Sequence, residues 1–217
     1  MPKLVLARAL PKGAEYLADV VADVGAPEKV SPYLLLGFAF AESNYGLALK
    51  PAGPEGSGDF IARPCTPDRD ARMKTNPLPG VVRKTVDGIK ARKIVGPVDA
   101  WVPTHTGWGC GIMQFDYEAH FEFCKGGAWK DPAKIMRQAA LLIKGNMAFL
   151  KKSHPALAER ALWEAVVAAY NAGAGRVSKF IKEGKSVDSA TFHPGYVAKI
   201  LSKAEELAGA KGAYVAS

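Results

Sequence analysis

A mainly α (α+β) domain interrupted by one long irregular insertion is the fold class this sequence predicts, on three observations. Apolar residues recur at helical spacing towards both ends of the chain. The stretch from Leu47 to Trp108 loses that period and collects eight of the 15 prolines. No internal repeat or low-complexity tract divides the 217 residues, so one domain spans 1–217, with 47–108 as an insertion within it.

Taken in order, Lys12 to Asp23 predicts a helix closed by Gly25-Ala26-Pro27, with Tyr16, Val20 and Val24 along one face. A second helix is punctuated by Ser31 as cap, Pro32 in its first turn and Gly46 beyond its apolar run. Inside the insertion, VVRKTV and IKARKIV flank Asp87-Gly88, a dipeptide at ease with positive φ, which predicts a small β-hairpin. Asp116 fits the cap of a short segment through Phe123. Asp131-Pro132 opens a long helix with Ile135, Ala139, Leu142, Ile143 and Leu150 inward. Another runs from Ala156 to Ala172 with Leu162, Val166, Ala169 and Tyr170 inward, and a short one follows from Gly175 to Glu183. Pro194 begins the last, whose stripe is Val197, Ile200, Leu201, Ala204 and Leu207.

The composition, 48% hydrophobic and 23% charged, excludes a disordered tail, a collagen and a coiled coil. A net charge of +8 favours polyanionic partners or surfaces: nucleic acid, bacterial wall polymer or anionic membrane. Cys65, Cys110 and Cys124 are an odd count without CxxC spacing and read as unpaired thiols. Leu4 to Leu10 is broken by Arg8 and is too short for a secretory core. The expected protein is therefore made in the cytoplasm without a signal peptide.

Four stretches carry more than scaffold: Ala41 to Gly46, Gly109 to Asp116, Ala168 to Gly175, and Gly195 to Ile200. Glu42 shares a helix face with Phe38 and Leu35, and a carboxylate among apolar groups keeps its proton towards neutral pH, as a general acid requires. Gly109-Cys110-Gly111-Ile112-Met113-Gln114 lacks a phosphate-loop ending, so its glycines serve close backbone approach instead. His105, His120, His154 and His193 have no metal-ligand spacing and read as surface or hydrogen-bonding residues. Trp101 and Trp108 flank the glycine loop and fit either the core or a sugar-stacking role. Cys110 has no His partner motif and reads as a small packed residue.

Glu-Ser in a helix, Gly-x-Gly-Ile-Met-Gln, Ala-Tyr-Asn-Ala-Gly-x-Gly and a late Tyr-Val-x-Lys-Ile, in this order, resemble the goose-type lysozyme and soluble lytic transglycosylase superfamily over about Ser31 to Ala208. The resemblance implies a lysozyme-like helical domain whose cleft binds peptidoglycan. It implies Glu42 as the acid that protonates the glycosidic oxygen, Ser43 beside it, Met113 and Gln114 along the sugar rings, Tyr170 and Asn171 close to the acid, and Tyr196 from the closing helix.

An inverting hydrolase needs a second carboxylate about 6.5–9.5 Å from the acid to position water, whereas a transglycosylase uses the muramic acid's own 6-hydroxyl. Asp116 stands where goose-type lysozymes have an Asp, which favours hydrolysis, although the same residue also fits a helix N-cap. Those enzymes carry another Asp a short stretch earlier, where this chain has His105. Asp99 is the nearest substitute, with Asp59, Asp68, Asp70 and Asp87 of the insertion behind it.

The function expected is a monomeric, bacteriolytic muramidase that hydrolyses the β-1,4 bond between N-acetylmuramic acid and N-acetylglucosamine without metal or organic cofactor. It acts on the bacterial cell wall, as a phage endolysin or an injected effector does, with its charge drawn to anionic wall or membrane surfaces. The alternatives are a lytic transglycosylase forming anhydro products and, from another class, a non-catalytic wall-binding protein. No nucleic-acid motif supports that partner.

Overall fold

The computed structural model describes residues 4–49, 51–54, 56, 109–116, 119–120, 123–124 and 127–214, with the backbone of five strands between 60 and 103. Among these residues the chain is mainly helical. Six α-helices run α1 (Leu17–Glu28), α2 (Pro32–Ser43), α3 (Pro132–Ser153), α4 (Glu159–Ala172), α5 (Ala174–Lys182) and α6 (Tyr196–Ala208), with short 3-10 turns at Ala128–Lys130 and Asp188–Ala190.

The insertion holds more strand than its prolines suggest. Strands β1 (Phe60–Ala62) and β5 (Trp101–Pro103) pair antiparallel, and β2 (Lys74–Thr75), β3 (Val81–Val86) and β4 (Ile89–Ile94) form an antiparallel three-stranded sheet. Val86 stands opposite Ile89, the register the Asp87-Gly88 hairpin requires. Beyond the insertion, β6 (Gly109–Cys110) and β7 (Phe115–Asp116) form a second hairpin, with Gly109 opposite Asp116.

The first helix departs from its periodicity. Gly13 adopts φ +91° and keeps Lys12 to Tyr16 in turns, so α1 begins at Leu17, and it continues through Pro27 until Lys29 turns left-handed at φ 54°. Its buried face is Leu17, Val21, Val24 and Gly25, so Val24 is buried as expected while Leu17 and Val21 take the places expected of Tyr16 and Val20. Ser31 occupies the N-cap of α2 without capping it; its hydroxyl donates instead to the carbonyl of Ala213 and ties the C-terminal segment to the start of the helix.

Asp131 caps α3 as expected, its Oδ1 accepting from the N–H groups of Ala133 (2.9 Å) and Lys134 (3.1 Å). Those bonds hold the carboxyl below its ordinary range. Asp131→Ala is expected to cost about 1 kcal/mol, a fall in Tm of about 3 °C in thermal melts. Asp131→Asn should lose less, because the amide oxygen still accepts.

Helix α2 is buried almost all round and packs most extensively against α6. Gly37 makes this possible: a Cβ there would lie 2.7 Å from the Ile200 carbonyl oxygen. The stripe Val197, Ile200, Leu201, Ala204 and Leu207 is buried against it as the sequence predicts. Helix α3 covers α1 on one side and α4 on the other, with Glu28 of α1 reaching Lys144 at 3.0 Å. Phe38, Leu34, Leu35, Ile112, Met113, Phe115, Trp129 and Ile135 are among the largest side chains at the centre. Burying such residues contributes roughly 1.5–3 kcal/mol each. No helix among the described residues is long and apolar enough to cross a membrane.

Candidate active site

Glu42 lies in the last turn of α2, which stops abruptly behind it. Asn44 (φ 49°), Tyr45 (φ 62°) and Gly46 (φ 87°) are left-handed in succession, a costly path for a bulky Tyr that its burial at 3% exposure enforces. Ser43 braces this turn. Its hydroxyl donates to the Ile112 carbonyl at 2.7 Å and accepts from the Gly46 N–H at 2.8 Å. The end of α2 is thereby clamped to the tip of the β6–β7 hairpin.

That tip, Gly111 to Gln114, is a tight turn with Gly111 at φ +67° and Gln114 at φ 47°. Gln114 holds the unusual backbone itself, its Nε2 donating to the Gly111 carbonyl at 2.7 Å. Its side chain lies across Gly109, where a Cβ would come within 2.3 Å of Gln114 Oε1. Tyr170 of α4 supports the same turn from below, donating to the Met113 carbonyl at 3.0 Å while its ring packs 4.4 Å from Phe38.

Helix α6 brings the partner of the acid. Asp188 acts as its remote cap, accepting from the N–H groups of Gly195 (2.7 Å) and Val197 (3.0 Å). The Tyr196 hydroxyl then donates to Glu42 Oε1 in a short hydrogen bond. One turn on, Lys199 donates to the Ala41 carbonyl at 3.2 Å.

Burial raises the Glu42 carboxyl to about 7, against the smaller lowering effects of the Tyr196 hydroxyl and the Lys199 charge. Burial and the neighbouring Glu42 push the Tyr196 and Tyr170 hydroxyls well above their ordinary value, so both remain donors.

Two cavities meet at this carboxyl. One, of about 690 Å³, is lined by Glu42, Gln114, Asn171, Phe192, His193 and Lys199. The other, of about 550 Å³, is lined by Glu42, Gln114, Asn171, Asp116, His120 and Asn146. Glu42, Gln114 and Asn171 are shared, so the acid stands where two lobes of a cleft join.

Of the residues expected in the site, Glu42, Gln114, Tyr170, Asn171, Tyr196 and Asp116 come together there. Ser43 and Met113 do not line it as ligand contacts: both are buried, at 4% and 0% exposure, because Ser43 is spent on the clamp and Met113 offers its carbonyl to Tyr170. Asp116 caps as well as lines, its Oδ1 accepting from the Ala119 N–H at 3.0 Å. Asp99, Asp59, Asp68, Asp70, Asp87, Cys65, His105 and Trp108 fall outside the described residues, as does the side chain of Trp101. Cys110 and Cys124 are buried against each other, and burial pushes the Cys110 thiol up, away from nucleophilic reactivity.

The sequence reading gave no site role to Phe192, His193, His120 or Asn146, and took Lys199 only as part of the Tyr-Val-x-Lys-Ile motif. Lys199 follows Tyr196 by one helical turn, a spacing that could have found it. Two histidines read as surface residues line the cleft. His120 packs edge-on to Phe115 at 4.6 Å, and burial lowers its pKa against the pull of Asp116. His154 does hydrogen-bond as expected, to Ser178 at 2.8 Å. Among the described residues no group of three or more His, Cys, Asp or Glu could hold a metal ion. Compared with protein-family models and with curated proteins, the chain matches none.

Proposed function

We propose that the protein is a peptidoglycan muramidase, cleaving the β-1,4 bond between N-acetylmuramic acid and N-acetylglucosamine with Glu42 as general acid. The observation that carries this reading is a single carboxyl, raised to about 7, at the junction of two cleft lobes. A glycosidic bond laid along such a cleft has one sugar in each lobe and its oxygen at the acid. With Oε1 accepting from Tyr196, the proton of the neutral carboxyl sits on Oε2, free for the leaving oxygen. The resemblance to goose-type lysozymes and lytic transglycosylases supports the same residues in the same roles, and the net charge of +8 suits an anionic wall polymer.

On the other face of the sugar, Asp116 shares a lobe with Glu42 and is the candidate for positioning water. Its engagement as a cap favours a second reading, in which no carboxylate assists and the 6-hydroxyl of the substrate attacks. Mass spectrometry of digested glycan strands tests both. Hydrolysis gives reducing ends, transglycosylation gives anhydro ends one water lighter, and intact strands refute both.

The pH profile tests the acid directly. Activity should fall as pH rises through about 7, where Glu42 loses its proton. The Tyr196 hydroxyl lowers that value, so Tyr196→Phe should move the alkaline limb of the kcat profile to higher pH. An unmoved limb would show that another group sets it.

A further inference from the structure

Two sulfur atoms meet where the β6–β7 hairpin joins the core. Cys110 and Cys124 are both 0% exposed, and their Sγ atoms lie 2.7 Å apart. A disulfide needs about 2.0 Å, so a small side-chain adjustment separates this contact from a bond. Each cysteine is held by its own backbone. Cys110 stands opposite Phe115 in the β6–β7 ladder. Cys124 donates its N–H to the His120 carbonyl at 2.9 Å, and its own carbonyl accepts from the Gly127 N–H and the Trp129 indole, both at 3.1 Å. A shared metal is the other chemistry open to a pair of thiols, but it needs further ligands. Among the described residues no group of three or more His, Cys, Asp or Glu stands together.

We propose that Cys110 and Cys124 are a site of oxidative cross-linking, joined as a disulfide when the chain folds under oxidising conditions. The co-reactant is a small-molecule disulfide or a disulfide-bearing thiol oxidase. One protein thiolate attacks a sulfur of that reagent and expels a thiolate, and the second protein thiolate attacks the mixed disulfide and expels the other. The protein gives up two protons and two electrons, and the reagent is reduced to two thiols. Both attacks take place before the core closes, because in the folded protein burial keeps reagents out and pushes the Cys110 thiol up, away from ionisation. The same burial shields the finished bond from reductants. The chain therefore keeps the state in which it folded, a dithiol from a reducing compartment or a disulfide from an oxidising one. The ends of the bond are 14 positions apart, and the segment between them carries Gln114, Asp116 and His120, which all line the second lobe of the cleft. Closing that segment covalently removes much of its freedom in the unfolded chain and makes this wall of the cleft more resistant to heat.

The test is cell-free synthesis of the full chain in buffers of reduced or of oxidised glutathione. In denaturant, iodoacetamide should label Cys110 and Cys124 of the first product and neither in the second. Peptide mapping of the second should join the two directly, with no glutathione on either. The oxidised product should melt about 9 °C above the reduced one. Cys124→Ala should melt at the same temperature from either buffer, whatever the substitution costs in packing. Labelling of both cysteines after oxidising synthesis, a bond from either one to Cys65, or equal melting of the two parent products overturns the proposal. These readouts involve no substrate, so they stand or fall separately from the muramidase reading.

Discussion

Glu42→Gln is expected to slow lysis of chloroform-permeabilised Gram-negative cells by about 10³-fold while the protein stays folded and gains stability at alkaline pH. The loss follows from removing the carboxyl proton at the cleft junction, since Gln keeps the shape and the bond from Tyr196 but has no acid. The gain follows from linkage. The carboxyl titrates at about 7 in the folded protein, against an ordinary value of 4.5. Below the lower value both folded and unfolded chains hold the proton, and the neutral group is buried at no electrostatic cost. As pH rises through about 7 that advantage is lost, and above it the site costs on the order of 3 kcal/mol relative to the unfolded chain. Gln is free of this cost. Thermal melts should therefore show the variant about 9 °C above the parent at pH 8, with the difference vanishing near pH 4. Full lytic activity in the variant would sink the assignment of Glu42, and equal melting at pH 8 would sink the account of its burial.

Gly37→Ala is expected to damage the fold and the site together. The added Cβ would meet the Ile200 carbonyl oxygen at 2.7 Å and its Cγ2 at 3.3 Å. A backbone oxygen within a helix cannot step aside, so α2 and α6 must separate, costing roughly 1–3 kcal/mol. The separation acts at the site as well, because α2 carries Glu42 and α6 carries Tyr196. A displacement of about 1 Å between such groups can cost about 10²-fold in rate. Gly145→Ala in α3 is the control: nothing lies within 4 Å of its Cβ, and the change should be neutral or stabilising. Ile200→Ala should not rescue Gly37→Ala, because the obstacle is main chain. Equal melting temperatures and rates for the two alanine variants would remove Gly37 from the account.

Local signals carried most of the helical body. Asp131-Pro132 marks the start of α3, and the Val197 to Leu207 stripe is buried as its spacing predicts, because both depend on neighbours within a turn or two. The acid was legible for the same reason: Glu42 repeats the spacing of the buried Leu35 and Phe38, so one face of one helix announces a carboxyl half-buried among apolar groups. What escaped depends on contacts distant in sequence. Gly37 looks like a weak point in a helix until Ile200 lies against it. Ser43 looks like a cleft residue until the Ile112 carbonyl claims its hydroxyl. Ser31 has every local mark of a cap and is drawn off by Ala213. Phe192 lies in a polar loop without periodicity, and the bonds its loop gives to Asn171 and Asp188 fix its direction.

The clamp from Ser43 to Ile112 also says how the chain tolerates its own interruption. Gly46 sits beside Ile112, a Cβ there meeting Ile112 Cγ1 at 3.2 Å, so the main chain leaves the helical body and re-enters it at nearly the same spot. A segment anchored at adjacent points can change length at little expense, since doubling a loop adds only about 0.6 kcal/mol of closure entropy. The join is a natural splice point, where evolution or a protein engineer can exchange whole modules while the acid, its tyrosine and the turn beneath them stay in register.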